Sequence, residues 1–197
     1  MYDLIFLHAP SVYDFRNRAT LWGPISDLVP STPVFDMYPI GFSTMMAHLQ
    51  QAGFNVRINN LAARMVRSQR FDAEKAIKGM QARAFGIELV KIHHPECPVI
   101  FGGYSATYFH EELIQSPFVD YVLRGDSTEQ PLEQLLEHII AGIAPEHVPN
   151  LTWKTKTVNQ LPNGEIRVNP QTYIPQSLDH LILDYHTMVR SVIRDRD

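Results

Sequence analysis

Apolar residues in this chain gather into short continuous runs separated by segments of helical period. Asp3-Leu4-Ile5-Phe6-Leu7-His8 is one such run, stopped by Ala9-Pro10-Ser11, and it has the pattern of a strand buried on both faces of a parallel sheet. A helical pattern starts at Ile40, continues through Met45, Met46 and Leu49 and stops at Gly53, after which residues 55–59 predict a second strand. These pieces make one βαβ unit. Residues 71–77 predict a surface helix leading to a third strand at 84–87, and residues 98–103 a fourth. A helix over 105–115 and a fifth strand at 120–123 follow. Leu132, Leu135, Leu136, Ile139 and Ile140 repeat at three and four residues, so 128–141 is the clearest amphipathic helix, closed by Gly142.

Strands alternating with helices predict an α/β fold: a Rossmann-like, flavodoxin-like doubly wound parallel sheet with right-handed crossovers. Ligands of such sheets bind outside the carboxyl ends of the strands. After Pro149 the pattern changes. Runs at 151–154 and 165–168 flank Pro162-Asn163-Gly164, in which Asn-Gly is a hairpin turn signal. Residues 170–177 read as a linker, and 178–196, carrying Leu181, Ile182, Tyr185, Val189 and Ile193, as a terminal helix. The division expected is a domain of residues 1–148 and an appendage of residues 149–197.

Two intervals do not fit the regular pattern. Residues 9–38 hold Pro10, Pro24, Pro30 and Pro33 and show no helical period, whereas strand-to-helix loops in such folds run ~2–6 residues. Tyr13, Phe15, Trp22 and Phe35 give this interval apolar surface, so it reads either as an ordered cap over the carboxyl edge of the sheet or as a packed surface loop with no ligand role. The second interval lies between the third and fourth strands. Only Glu88 to Cys97 separate Ile87 from Pro98, and a parallel crossover with its helix needs at least ~10–12 residues. Either these strands are not parallel neighbours, or a stretch after Ile87 is absent from the sequence. The second reading is favoured, because Leu89-Val90-Lys91-Ile92-His93-His94-Pro95 resembles the end of a helix without its beginning.

Composition narrows the function. Among 197 residues, 45% are hydrophobic and 19% charged, which excludes a disordered or collagen-like chain. A net charge of −4 argues against nucleic-acid binding, because phosphate neutralisation needs a cationic surface. Cys97 is the one cysteine, so an intramolecular disulfide and a self-contained iron–sulfur cluster are both excluded, and a reducing cytoplasm fits. No run approaches the ~18 apolar residues of a membrane span, and the chain opens without a cationic signal. His93-His94, and His180 with His186, lack zinc spacing; His110-Glu111-Glu112 lacks the second histidine of a zincin helix. The Gly-rich phosphate loop, the nucleophile elbow and the dinucleotide fingerprint are absent as well.

Chemistry concentrates at two strand ends. Gly102-Gly103 closes a buried strand and precedes a helix, where the lack of a Cβ lets main chain approach a bulky ligand or simply turn tightly. Arg124-Gly125-Asp126-Ser127-Thr128-Glu129 closes the next strand and opens the next helix, so Asp126, Ser127 and Thr128 read as helix caps or as ligand contacts on the same edge. These segments, Pro98-Val99-Ile100-Phe101-Gly102-Gly103-Tyr104-Ser105-Ala106-Thr107 and Val119 to Glu129, together with Tyr38-Pro39-Ile40-Gly41 and Ala52-Gly53-Phe54-Asn55-Val56, resemble the cobalamin-binding domain at the N-terminus of cobalamin-dependent radical S-adenosylmethionine (SAM) enzymes.

The resemblance covers residues 2–142. It implies a Rossmann-like module whose strand-end loops hold cobalamin, with the nucleotide tail beside the sheet. Pro10 and Ser11 would then lie against the lower face of the ligand, Gly102, Gly103, Tyr104 and Ser105 along the tail, and Arg124, Gly125 and Asp126 at the neighbouring loop. The methionine-synthase-like Asp-x-His-x-x-Gly is missing: the corresponding text is His8-Ala9-Pro10-Ser11-Val12-Tyr13, so His8 is either a cobalt ligand or a hydrogen-bonded structural residue, and a His-off cobalamin is the better match. The family's loop after the third strand would fall at the shortened interval after Ile87. The Cys-x-x-x-Cys-x-x-Cys that holds the iron–sulfur cluster and SAM is also missing, so the resemblance implies that both belong to a following C-terminal radical SAM domain of the same protein, toward which the segment with Arg190, Arg194 and Arg196 runs. Cobalamin and that domain are the partners expected, with no nucleic acid and no membrane, and methyl transfer or a related radical reaction is the chemistry. The alternative is a flavodoxin-like regulatory or interaction module without a cofactor. A hydrolase or transferase using His8, Asp14, Asp36 or Asp126 lacks a nucleophile–base pair.

Overall fold

The structure is a computed structural model, and it describes residues 1–8, 40–61, 64, 65, 68, 70–86, 94–155 and 164–177. The opening apolar run forms strand β1 (Tyr2–His8), and the pattern that follows it forms α1 (Ile40–Gln51) and β2 (Val56–Asn60). β1 pairs in parallel with β2 on one side and with β3 (Ala82–Gly86) on the other. The third strand therefore starts two residues earlier than its apolar run suggests. Arg83 hides that start, because its charge breaks the run while its side chain reaches Asp3 at 3.4 Å. Between β2 and β3 lies α2 (Ala73–Lys78), later than the expected 71–77 because Asp72 caps it: the Lys75 amide donates to Asp72 Oδ1 at 2.9 Å.

β3 and β4 (Ile100–Phe101) stand side by side, and residues 87–93, where the expected missing stretch would fall, lie outside the described residues. Phe85 bridges Val99 in parallel, and its amide donates to Pro98 O at 3.0 Å. The expected helix end at 89–95 lies mostly outside the described residues; His94 within it stacks on Phe85 with ring centroids 5.4 Å apart. β4 pairs in parallel with β5 (Tyr121–Leu123) in a second sheet, and the single Phe85–Val99 bridge sets that pair beside the three-stranded sheet β2-β1-β3, so the strands run in the parallel order β2-β1-β3-β4-β5.

The helix expected over 105–115 is two helices, α3 (Tyr104–Tyr108) and α4 (His110–Gln115), broken at Phe109 with φ −107° and ψ 28°. Thr107, Tyr108 and Phe109 all lose side-chain rotamer freedom in a helix, and this weak stretch is where the axis turns. α5 (Glu129–Ala141) matches its apolar stripe and ends at Gly142 in the left-handed conformation, φ 70°. Thr128 precedes it without a side-chain capping bond, so the capping expected of that loop is not what its side chains do.

Strands β6 (Leu151–Lys154) and β7 (Ile166–Val168) pair antiparallel with each other, and β6 pairs antiparallel with β5. The Asn-Gly turn at 163 and the terminal helix expected over 178–196 lie outside the described residues, as does the interval 9–38. Apolar residues on the two sheet faces form separate cores. Leu4, Phe6, Ala84 and Leu123 meet α1 and α5 on one face; Ile5, Phe85 and Val99 meet α2 on the other, where Val122 also meets α3 and α4. This is helices on both faces of a parallel sheet. Among the described residues no helix is long and apolar enough to cross a membrane.

Candidate functional site

Chain direction places the site. In the order β2-β1-β3-β4-β5, successive connections run outward in opposite directions from β1, and the crevice opens at the carboxyl ends beside that reversal. A cavity of about 360 Å³ lies there, between the sheet, α1 and α5. Leu4 and Phe6 of β1, Phe42 and Met45 of α1 and Leu132 of α5 are among the residues that line it. Phe6 and Phe42 stack with centroids 4.9 Å apart and planes 18° from parallel, so part of the wall is flat.

Gly102 and Gly103 stand at its mouth, with Asp126 and Thr128 beside them. Register explains why. Phe101 is opposite Val122 in the parallel β4–β5 pair, so both chains leave the sheet at one level. A Cβ on Gly102 would stand 3.8 Å from Leu123 O, and Gly103 has φ 97° and ψ −179°, which only glycine adopts without strain. The two loops are tied together: the Gly125 amide donates to Thr107 Oγ1 at 2.9 Å. The chain therefore leaves the sheet at Gly102 and at Arg124 side by side.

The sequence-derived residues divide into groups on this rim. Gly102, Gly103 and Asp126 border the cavity. Tyr104 and Ser105 are exposed at the start of α3, where the Tyr104 and Tyr108 hydroxyls are 3.3 Å apart; that hydrogen bond and the charge of Asp126 hold the Tyr104 phenol above its usual range. Arg124 does not border the cavity. It is buried, its Nη2 donates to Asn169 O, and its Nε has no acceptor, so desolvation lowers its pKa. Gly125 lies between Arg124 and Asp126 without bordering the cavity. Pro10 and Ser11 lie outside the described residues, and so does the His8 side chain. Among the described residues no three His, Cys, Asp or Glu side chains converge as a metal site would need.

Loop-based reasoning missed the walls. Phe42, Met45 and Leu132 look like ordinary core positions of amphipathic helices, and the one available signal was the closeness of Phe42 and Met45 to the N-terminal end of α1. Polar side chains join α1 to α5 alongside them. Thr44 Oγ1, which donates to Gly41 O at 2.9 Å, lies 3.5 Å from Glu129 Oε1, Ser127 Oγ donates to Glu129 Oε2 at 2.7 Å, and His48 Nε2 meets Glu133 Oε2 at 2.6 Å. Glu129 is buried at the positive end of α5, where the helix dipole and the Ser127 hydroxyl compensate its desolvation.

The appended strands are fixed to the same rim through Asn150, which is buried at φ 61°. Its main chain accepts from the Arg124 amide at 2.8 Å, and its side chain exchanges two hydrogen bonds with Tyr173, Nδ2 to O at 2.8 Å and N to Oδ1 at 3.0 Å. The segment after β7 thus leaves along the edge that carries the cavity.

Comparison with known proteins bears on the fold. No protein-family profile matches the chain, and no curated protein matches it by sequence. Solved structures do match. The radical SAM methyltransferase TsrM from Kitasatospora setae, with cobalamin and a [4Fe-4S] cluster bound, is similar at TM-score 0.58 and 16% identity over 89% of this chain and 30% of its own. The cobalamin-dependent SAM radical enzyme OxsB, with aqua-cobalamin and SAM bound, is similar at TM-score 0.63 and 9% identity over 100% of this chain. This chain spans 26% of OxsB and about a third of TsrM in the form holding tryptophan and a SAM analogue, at 31%. At these identities the likeness establishes the fold.

Proposed function

We propose that the chain is the cobalamin-binding portion of a radical SAM enzyme. The observation that carries this reading is the shared rim: two glycine-containing loops side by side at the mouth of an apolar cavity, at the strand-order reversal of a sheet whose solved neighbours hold cobalamin.

The residues fit such a group in size and chemistry. At about 360 Å³ the cavity is at the small end of ligand pockets, so it takes one planar appendage and leaves a macrocycle outside its mouth. Gly102 and Gly103 present main chain there, and Phe6, Phe42, Met45 and Leu132 bury the appendage. Residues 1–148 form the cofactor-binding unit, and residues 149–197 lead toward the radical SAM domain. Tyr104, Ser105, Arg124, Gly125 and Asp126 shape the rim, with Pro10 and Ser11 following β1 to complete it. The bound corrinoid supplies carbon-transfer chemistry, in the His-off state, for methyl transfer or a related radical reaction, while the protein supplies placement. Cys97 is the chain's one cysteine and its Sγ donates to Ala82 O, so the cluster and SAM belong to the following domain.

Incubation with hydroxocobalamin followed by gel filtration tests this reading. Corrinoid absorbance co-eluting with the protein is the expected result, and protein fractions free of it overturn the proposal.

A further inference from the structure

Among the described residues β7 is the outer strand of its sheet: β6 pairs with one of its sides and no strand with the other. The ladder to β6 tells which main-chain groups face the free side. Glu165 O accepts from the Thr155 amide at 2.9 Å, and the Asn169 amide donates to Leu151 O at 2.8 Å, so residues 165, 167 and 169 turn their main chain toward β6. Ile166 and Val168 therefore direct their N–H and C=O groups outward. Their side chains are 42% and 50% exposed, an apolar pair beside an unpaired edge. Charges that blunt such an edge are normally of one sign, but here Glu165 and Arg167 share a face with opposite signs, Arg167 Nη2 lying 3.5 Å from Glu165 Oε2. Arg167 Nη1 also donates to Glu146 Oε1 at 2.9 Å, and the guanidinium has donors left for a further carboxylate.

We propose that β7 docks a second copy of this chain, edge to edge and antiparallel, about a two-fold axis at Ile166. The register singles out that axis. With Ile166 opposite Ile166 of the partner subunit, the two exchange both outward main-chain bonds; Glu165 lies opposite the partner's Arg167 and Arg167 opposite the partner's Glu165; and Val168 stands beside the partner's Gly164, which has no side chain to displace. Each neighbouring register is worse. An axis at Arg167 sets arginine against arginine, and one at Glu165 sets glutamate against glutamate. An axis at Val168 brings Ile166 against Pro170 of the partner subunit, which has no N–H to give, and the Pro170 carbonyl already accepts from the Asn150 amide at 3.0 Å. Such a contact uses the same patch on both copies and closes after two. It joins a few main-chain bonds and two apolar side chains from each copy, the size of a transient interface, so a dissociation constant of about 10–100 µM is expected.

Sedimentation equilibrium of the 197-residue chain from about 5 to 500 µM tests the docking, with a monomer–dimer equilibrium as the expected result. A chain that stays monomeric throughout, or that builds species larger than a dimer, overturns the proposal. Two charge reversals at these exposed positions test the register. Glu165→Arg and Arg167→Glu each set like charges opposite one another twice in a homodimer, so each alone should associate about tenfold more weakly than wild type. Mixed in equal amounts, the two variants have opposite charges at every one of those places and should recover the wild-type dissociation constant to within about threefold. Single variants that dimerise as well as wild type, or a mixture that stays monomeric, overturn the register. Ile166→Pro removes an outward N–H without touching a bond to β6 and should abolish the dimer. A dimer that survives it overturns docking at β7.

Discussion

Replacing each of the paired glycines by alanine separates backbone strain from steric crowding at the mouth of the cavity. At Gly103 a Cβ would meet nothing within 4 Å, so a purely steric argument expects no effect. The backbone argument expects the opposite. With φ 97° and ψ −179° the residue occupies a region that is essentially reserved for glycine, and holding an L-residue there costs ~1–3 kcal/mol. Alanine also restricts the unfolded chain, which returns ~0.4–1 kcal/mol, so the net loss for Gly103→Ala is about 1–2 kcal/mol. Gly102 is the control. Its φ is not in the positive region, and its added Cβ would make ordinary contact with Leu123 O at 3.8 Å, so Gly102→Ala should lie within ~0.5 kcal/mol of wild type or slightly above it. Urea unfolding with unchanged m-values measures the difference, and thermal midpoints should separate by roughly 3–8 °C for a domain of this size. Equal stability of the two variants would refute the assignment of strain to Gly103.

Asn150→Ala should cost about 2–4 kcal/mol, from two lost hydrogen bonds to Tyr173 and an alanine at positive φ, whereas Asn150→Gly relieves the second cost; urea midpoints order the three proteins, and faster proteolysis within 170–177 reports release of that segment. The partly buried His48–Glu133 pair should show a coupling energy of ~0.5–1 kcal/mol in a double-mutant cycle, and additivity of His48→Ala with Glu133→Ala would remove its role in joining α1 to α5. Burial and the Arg124 charge lower the His110 pKa below its unfolded value near 6.5. The unfolded state therefore binds more protons in the window below that value. The stability this group contributes is complete above about pH 6.5 and is lost as pH falls toward the folded pKa. Stability measured from pH 7 to 5 should fall less in His110→Gln than in wild type, and parallel profiles would contradict the shift. Leu135→Ala, at a fully buried α5 position, should cost ~2–5 kcal/mol by cavity formation, read from the same urea titration.

The amino-acid sequence determined the elements whose burial is local in pattern: the opening strand, the stripe of α5 with its Gly142 stop, and the alternation that specifies a parallel α/β sheet. It also placed Gly102 and Arg124 at successive strand ends, which is why both loops were legible as a pair. Hydrophobic period reports how deeply a residue is buried and not what it is buried against. Only the tertiary structure decided that Phe42 and Met45 of α1 would line one cavity with Leu132 of α5, an encounter between segments some 85 positions apart, as in the His48–Glu133 pair. The same holds for Arg124, whose side chain ends on Asn169 O, 45 positions away, while the preceding Leu123 borders the cavity. The early start of β3 behind Arg83, whose partner is Asp3 of β1, belongs there too. Each was settled by a neighbour that the local sequence does not contain, and so the rim could be read from the chain while the walls of its cavity could not.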